Sequence, residues 1–301
     1  MGRLTIQHET AYRYARPVTF GRHRLVLRPR EGHDLRVESM DLFITPEHHA
    51  AWASDVFGNS ILVVDFSVPA MELHIRSDVV VFRRKPFPAT EPREPWRVPF
   101  PVAYDLLETT ITAAYQSLSY PDDLDAIREW LDHILPTPDP EDAEGMMFKL
   151  GEIIHEQIQY RRRFEKGVQT PAESLQKRSG SCRDLATLMM DAARVLGVAT
   201  RFVSGYLDCP ASEAGRAAMH AWVEIYLPPL GWRGYDPTLG EPASQKHVVV
   251  GVSNHPRGVM PVSGMFSGSA GDYLEMTTSV KIEKISAEPN AVRNDELAQT
   301  D

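Results

Sequence analysis

The sequence predicts an α+β protein in which a β-rich, sandwich-like first part precedes a unit of helices packed on an antiparallel sheet. Two observations carry this. Residues 3–84 hold several short apolar stretches of period two, separated by Gly, Pro, Asn and Asp, with no convincing helix. From residue 122 the period changes to that of helices, and after Gly197 it returns to period two. Runs of strands followed by runs of helices are the signature of α+β architectures.

In the first part Leu4, Ile6 and His8 alternate with polar neighbours. The segments Leu25 to Leu27, Val37 to Ile44, Ile61 to Phe66 and Leu73 to Phe82 are further strand candidates. Asp55 to Ser60 reads as a turn with Gly58 and Asn59 at its tip. Prolines at 86, 88, 92, 95, 99 and 101 remove donors and fix φ, which predicts an extended linker over 86–101. The expected organisation is therefore a β-rich domain over 1–85, the linker, a second domain over 102–286 and a disordered polar tail over 287–301.

The second domain opens with helices over Asp122 to Leu135 and Glu141 to Tyr160, each with one apolar face. A short helix over Pro171 to Lys177 has Thr170 as N-cap and Pro171 at its first position. The next helix begins at Cys182 and stops near Gly197, a C′ glycine. Strands follow over Thr200 to Leu207, Met219 to Leu227 and Gly231 to Tyr235, and Tyr273 to Ile285 adds one or two more. The Gly-, Ser- and Pro-rich stretch 251–272 reads as a long surface loop.

Composition narrows the function. The chain has 301 residues, is 43% hydrophobic and carries a net charge of -9, so no domain-wide basic surplus points to nucleic acid. The run Arg161, Arg162 and Arg163, followed by Lys166, is either a solvated loop or an anion contact near a site entrance. No run of 18 apolar residues predicts a membrane span, and no apolar segment near Met1 predicts export, so the expected location is the cytoplasm and the two cysteines are expected as free thiols. No pattern specifies an oligomeric state. The eleven histidines form no H-E-x-x-H and the two cysteines no C-x-x-C. Asp122, Asp123 and Asp125 fit a helix start rather than a calcium loop, so neither metal nor cofactor is expected.

Cys182 is where the chemistry concentrates. Ser181 and Asp184 match the S-x-x-D capping box, which places the thiol in the first helical turn. There it meets unpaired N–H groups and the positive end of the helix dipole, a position that favours a thiolate. Cys209, before Pro210 at a strand end, has no such setting. His220, Trp222 and Glu224 share one strand face, while Ala221, Val223 and Ile225 form an apolar face. A histidine there serves as the base for the thiol, oriented by a carboxylate. Asp236, ending the next strand before Pro237, is the preferred orienter, although Asp-Pro-Thr is also an Asx-turn composition. Glu224 competes, but two residues along a strand is roughly 6.6 Å, better for flanking a ring than bonding it. Asp184 is explained by the cap. An oxyanion donor besides the Cys182 N–H could come from Gln157, Tyr160 or Gln169.

These residues resemble a known family. Thr170-Pro-Ala-Glu-Ser-Leu175, Gly180-Ser-Cys-Arg-Asp-Leu-Ala186, Leu196 to Tyr206, His220-Ala-Trp-Val-Glu224 and Trp232-Arg-Gly-Tyr-Asp-Pro-Thr238 are similar, in order, to motifs of the transglutaminase-like superfamily of papain-type fold. Residues 3–84, with Asp55-Val-Phe-Gly-Asn59, look like the β-rich N-terminal region of its bacterial members. The resemblance implies a Cys182–His220–Asp236 triad on an α+β core, and acyl transfer from a peptide or protein amide through a thioester. The superfamily includes peptidases, amidases, protein cross-linkers and inactive relatives. Without a calcium loop or further β-domains, the expectation is hydrolysis, as in cysteine peptidases and amidases. Glutamine–amine transfer and a non-catalytic binding role are the alternatives.

Overall fold

The computed structural model describes residues 2–84, 97–135, 141–163, 167–208 and 219–285. The chain begins with six strands: β1 (Gly2–Phe20), β2 (His23–Leu25), β3 (Leu35–Thr45), β4 (His48–Ser54), β5 (Ser60–Phe66) and β6 (Ala70–Arg83). Then come α1 (Leu106–Gln116), α2 (Leu124–Ile134), α3 (Ala143–Gln157), β7 (Gln159–Tyr160), α4 (Pro171–Lys177), β8 (Ser179–Gly180) and α5 (Cys182–Val195). The remaining strands are β9 (Thr200–Leu207), β10 (Met219–Leu227), β11 (Gly231–Asp236), β12 (Glu241–Pro242), β13 (His247–Ser253), β14 (Val262–Ser263), β15 (Phe266–Ser267) and β16 (Tyr273–Ile285).

Two sheets form the sandwich. One runs β15-β1-β6-β3 with β16 also on β1, and the other β14-β2-β5-β4. Alternation sets their inner faces: Leu73, Ile75, Ser77, Val79 and Val81 of β6 are all buried. Tyr14, Phe20, Leu25, Leu62, Val64, Leu73 and Ile75 pack between the sheets. Strand β4 and helix α1 are additions to the sequence reading. Leu106, Leu107 and Ile111 of α1 are exposed, so no buried apolar stripe announces that helix.

The third sheet runs β12-β11-β10-β9-β13, all antiparallel. Helices α2, α3 and α5 cover the face that carries Ala221, Val223 and Ile225. Leu150, Ile154, Leu188 and Met189 are fully buried in that layer, each worth about 1.5–3 kcal/mol of apolar burial.

Three expectations change. Strands β14, β15 and β16 join the sandwich sheets, so residues 262–285 complete the first part rather than extend the second. The stretch 251–272 is built of short strands and turns rather than one open loop. The linker expectation falls mostly on residues 85–96, outside the described residues, as do Cys209, Lys166 and the tail 287–301. Its described end is not a free spacer: Val98 is buried in the helical core and its carbonyl accepts from the Ala143 N–H at 2.8 Å.

The two halves share a further core. Leu4, Ile6, Val79 and Val81 of the sandwich pack with Tyr206 of β9 and with Val248 and Val250 of β13. Within it His8 is buried between the Tyr206 hydroxyl and Thr10 Oγ1, each at 3.1 Å. Burial lowers the His8 pKa to about 4.

Candidate active site

Cys182 is the first residue of α5, and the strand that delivers it, β8, pairs in parallel with β7. Ser181, the N-cap, is extended at φ -82° and ψ 172°. Asp184, fully buried, organises this entrance. Its Oδ2 accepts from the Ser181 N–H and the Ser181 hydroxyl, both at 2.8 Å. Its Oδ1 accepts from the Gln169 N–H at 2.8 Å. Arg163 Nη1 donates to both oxygens at 2.8 and 2.9 Å. Asp184 thus closes the helix cap and also ties Arg163 and Gln169 to it. Arg163 is therefore not a solvated charge; it neutralises a buried carboxylate. Gly180 permits this crowding, because a Cβ there would lie 2.8 Å from Asp184 Cβ and 3.1 Å from Gln169 Nε2.

His220 is the second residue of β10 and Asp236 ends β11, and both are buried. His220 Nε2 lies 2.6 Å from Asp236 Oδ2. Cys182 lies near enough to the His220 ring to contribute to the rise in its pKa. The three residues singled out by sequence therefore lie side by side. Glu224 does not join them. It pairs with Arg201 at 2.6 Å, and the Arg201 guanidinium sits 3.9 Å over the Trp232 ring. Asp236 also forms the Asx turn, its Oδ1 accepting from the Thr238 N–H at 2.9 Å. The Thr238 carbonyl is held in turn by His155 Nδ1 of α3 at 2.9 Å.

Charge and burial oppose each other here. Burial alone would lower the His220 pKa, but the Asp236 charge and hydrogen bond, with Cys182 adding to them, raise it well above its usual value. Burial would raise the Asp236 pKa, but His220 and His247 hold it below the usual carboxylate range.

His247 is the residue that sequence reasoning missed. Its Nε2 lies 3.0 Å from the same Asp236 Oδ2, and its Nδ1 accepts from the Ser244 N–H at 3.0 Å. The available signal was the strand composition of His247-Val-Val-Val-Gly-Val-Ser253, next to the segment that ends in Asp236. Trp222, fully buried, lies alongside His220 at 6.2 Å between centroids and meets His247 edge-on at 4.9 Å. Gly205 of β9 makes room for it, since a Cβ there would lie 2.6 Å from Trp222 Cη2 and 2.1 Å from the Val248 carbonyl.

Asp236, His220 and His247 bring one ligand atom each within 4.8 Å of one another, the spacing of a metal site. The donor set does not fit one. Because His247 Nδ1 accepts a backbone N–H, the ring proton is on Nε2, the atom a metal would need. Of the oxyanion candidates, Gln157 accepts from Trp130 Nε1 at 3.1 Å. Tyr160 pairs with Gly180, and Gln169 Nε2 donates to the Ser179 carbonyl at 2.9 Å, so these two flank the entry to Cys182.

This arrangement of a capped cysteine, a strand histidine and a carboxylate on an α+β core, preceded by a β-rich region, defines a class. Residues 136–237 match the transglutaminase-like superfamily and residues 4–82 the bacterial transglutaminase-like N-terminal region. Among particular proteins it is similar to the uncharacterized protein Rv2569c of Mycobacterium tuberculosis, 28% identical over 92% of each chain. Over 67 residues it is 37% identical to a protein-glutamine gamma-glutamyltransferase of Pseudomonas aeruginosa, covering 20% of this chain and 10% of that protein. It shares its fold with a solved structure from Cytophaga hutchinsonii described as a "Putative Cysteine Protease", with TM-score 0.70, 15% identity, and 95% and 92% of the two chains covered.

Proposed function

We propose that this protein is a thiol acyl-transfer enzyme that hydrolyses peptide or other amide bonds through a Cys182–His220–Asp236 triad. The observation that carries the reading is the buried His220 ring, bonded to Asp236 at 2.6 Å through Nε2, with Cys182 near enough to add to the rise in its pKa. The Cys182 thiolate adds to the amide carbonyl carbon, and the C=O π pair moves to the oxygen. The Cys182 N–H, in the first turn of α5 and without an intrahelical acceptor, donates to that oxyanion. As the C–N bond breaks, the Nδ1 proton of His220 passes to the leaving amine and a thioester remains. His220 then takes a proton from water as its oxygen attacks the thioester carbon. The C–S bond breaks, the acid leaves, and thiolate and imidazolium are restored. Asp236 holds the ring and stabilises its charge throughout.

A quenched peptide library digested by wild type and Cys182→Ala tests this. Cleavage should fall at least ~10³-fold in the variant; equal cleavage refutes the reading. The similarity to the Pseudomonas aeruginosa gamma-glutamyltransferase favours amine transfer as a second reading. A labelled primary amine offered with a glutamine peptide separates the two, since transfer gives amide-linked label and hydrolysis gives free acid.

A further inference from the structure

We propose that His247 is a positioning residue for Asp236, and that the β-rich N-terminal part keeps His247 in place by gripping β13. The role assigned to Asp236 rests on the function proposed above; the contact itself does not.

Asp236 Oδ2 serves two imidazoles at once, His220 at 2.6 Å and His247 at 3.0 Å. The carboxylate has a third donor, the Thr238 N–H, on Oδ1. With only His220 and Thr238, the Oδ2 side would be held by the very ring it is meant to orient. His247 supplies an independent anchor. Its protonation pattern is set from outside the triad: the Ser244 N–H occupies Nδ1, so Nε2 carries the proton and can only donate. Neither nitrogen is left to act on substrate, which separates positioning from acid–base work.

His247 is the first residue of β13, an edge strand of the third sheet, and that strand is fastened from the sandwich side. Arg83 of β6 donates to the His247 carbonyl. The Arg30 N–H donates to the Val249 carbonyl at 2.8 Å. Asn59, fully buried, treats Val252 as a strand partner would, donating to its carbonyl at 2.7 Å and accepting from its N–H at 2.9 Å. Asn59 is itself set by Asp55, whose Oδ1 accepts its N–H at 2.9 Å and whose Oδ2 accepts its Nδ2 at 2.9 Å. The Asp55-Val-Phe-Gly-Asn59 turn is thus a clamp on the strand that carries His247.

The experiment uses the full chain. Nitrogen-15 NMR of wild type at neutral pH should show His247 protonated at Nε2 and bare at Nδ1; the opposite tautomer overturns the proposal without any variant. In His247→Phe, which keeps bulk and removes the donor, the low-field His220 Nε2 proton should move upfield and Cys182 alkylation, followed by peptide mass spectrometry, should slow about 10-fold, the worth of a hydrogen bond to a charged group. His247→Gln, which can offer an N–H near the same place, should restore the rate to within about 3-fold, and Asn59→Leu should slow it without touching the triad. A folded His247→Phe with wild-type proton resonance and rate, or an Asn59→Leu with wild-type rate, overturns the proposal. Loss of peptide cleavage in none of these proteins would count against the hydrolase reading alone, because the NMR readouts need no substrate.

Discussion

Replacing Asp236 by asparagine changes almost no volume, yet the structure leaves the amide no acceptable orientation. Asp236 receives three N–H donors, two imidazoles on Oδ2 and the Thr238 backbone on Oδ1. If the amide oxygen serves the imidazoles, its NH₂ faces the Thr238 N–H and orphans it. If the amide oxygen serves Thr238, the NH₂ faces both rings. His220 could then accept at Nε2, but only by moving its proton to Nδ1. His247 cannot follow, because its Nδ1 is taken by Ser244. Either way one buried donor is orphaned, and two hydrogen bonds lose their charged acceptor. We expect a loss of about 2–4 kcal/mol in stability.

The loss should depend on pH in a defined sense. His220 has a raised pKa, so its contribution is complete below the unfolded value near 6.5 and is lost as pH rises towards the folded one. Asp236 has a lowered pKa, so its contribution is complete above the unfolded value near 3.9 and is lost as pH falls. The wild-type advantage over Asp236→Asn should therefore peak between about pH 4 and 6.5 and shrink on both sides. Urea unfolding at pH 5.5 and 9.5 measures it. A difference under about 0.5 kcal/mol at pH 5.5, or one that stays flat across this range, refutes the reasoning.

Asp184→Asn should cost about 3–5 kcal/mol, because it removes a buried charged acceptor from Arg163, Ser181 and Gln169. Thermal unfolding reads this, and an unchanged midpoint would mean the segment relaxes without cost. Gly205→Ala should destabilise by at least ~1–3 kcal/mol, since its Cβ would collide with the Val248 carbonyl and Trp222. Near-wild-type stability there would refute the close approach of β9 and β13. Glu224→Gln should leave Cys182 alkylation within about 2-fold of wild type, because Glu224 pairs with Arg201 rather than His220. A loss comparable to that of Asp236→Asn would return Glu224 to the orienting role.

The parts legible in the sequence are those whose cause is local. The start of α5 at Cys182 follows from Ser181 and Asp184, three residues apart, and α4 from Thr170, Pro171 and Glu173. The faces of β10 follow from the two-residue alternation around His220. Helix α1 was not legible, because its apolar side chains face solvent and the periodicity argument assumes a buried stripe. The linker and the second domain were misjudged at their ends for a similar reason: proline content says nothing of Val98 reaching the helical core, and alternation in Tyr273–Ile285 does not name β1 as its partner.

The sequence by itself determined which thiol is placed at a helix start and which histidine and carboxylate lie on the strands that follow. Those properties are written within a few residues of each position. Tertiary structure alone decided that Asp236 faces two histidines and that Arg163 belongs to Asp184. It also decided that Asn59 holds Val252, a residue 193 positions away. Such contacts depend on which strands become neighbours and in what register, where a slip of one residue would turn every side chain to the other face.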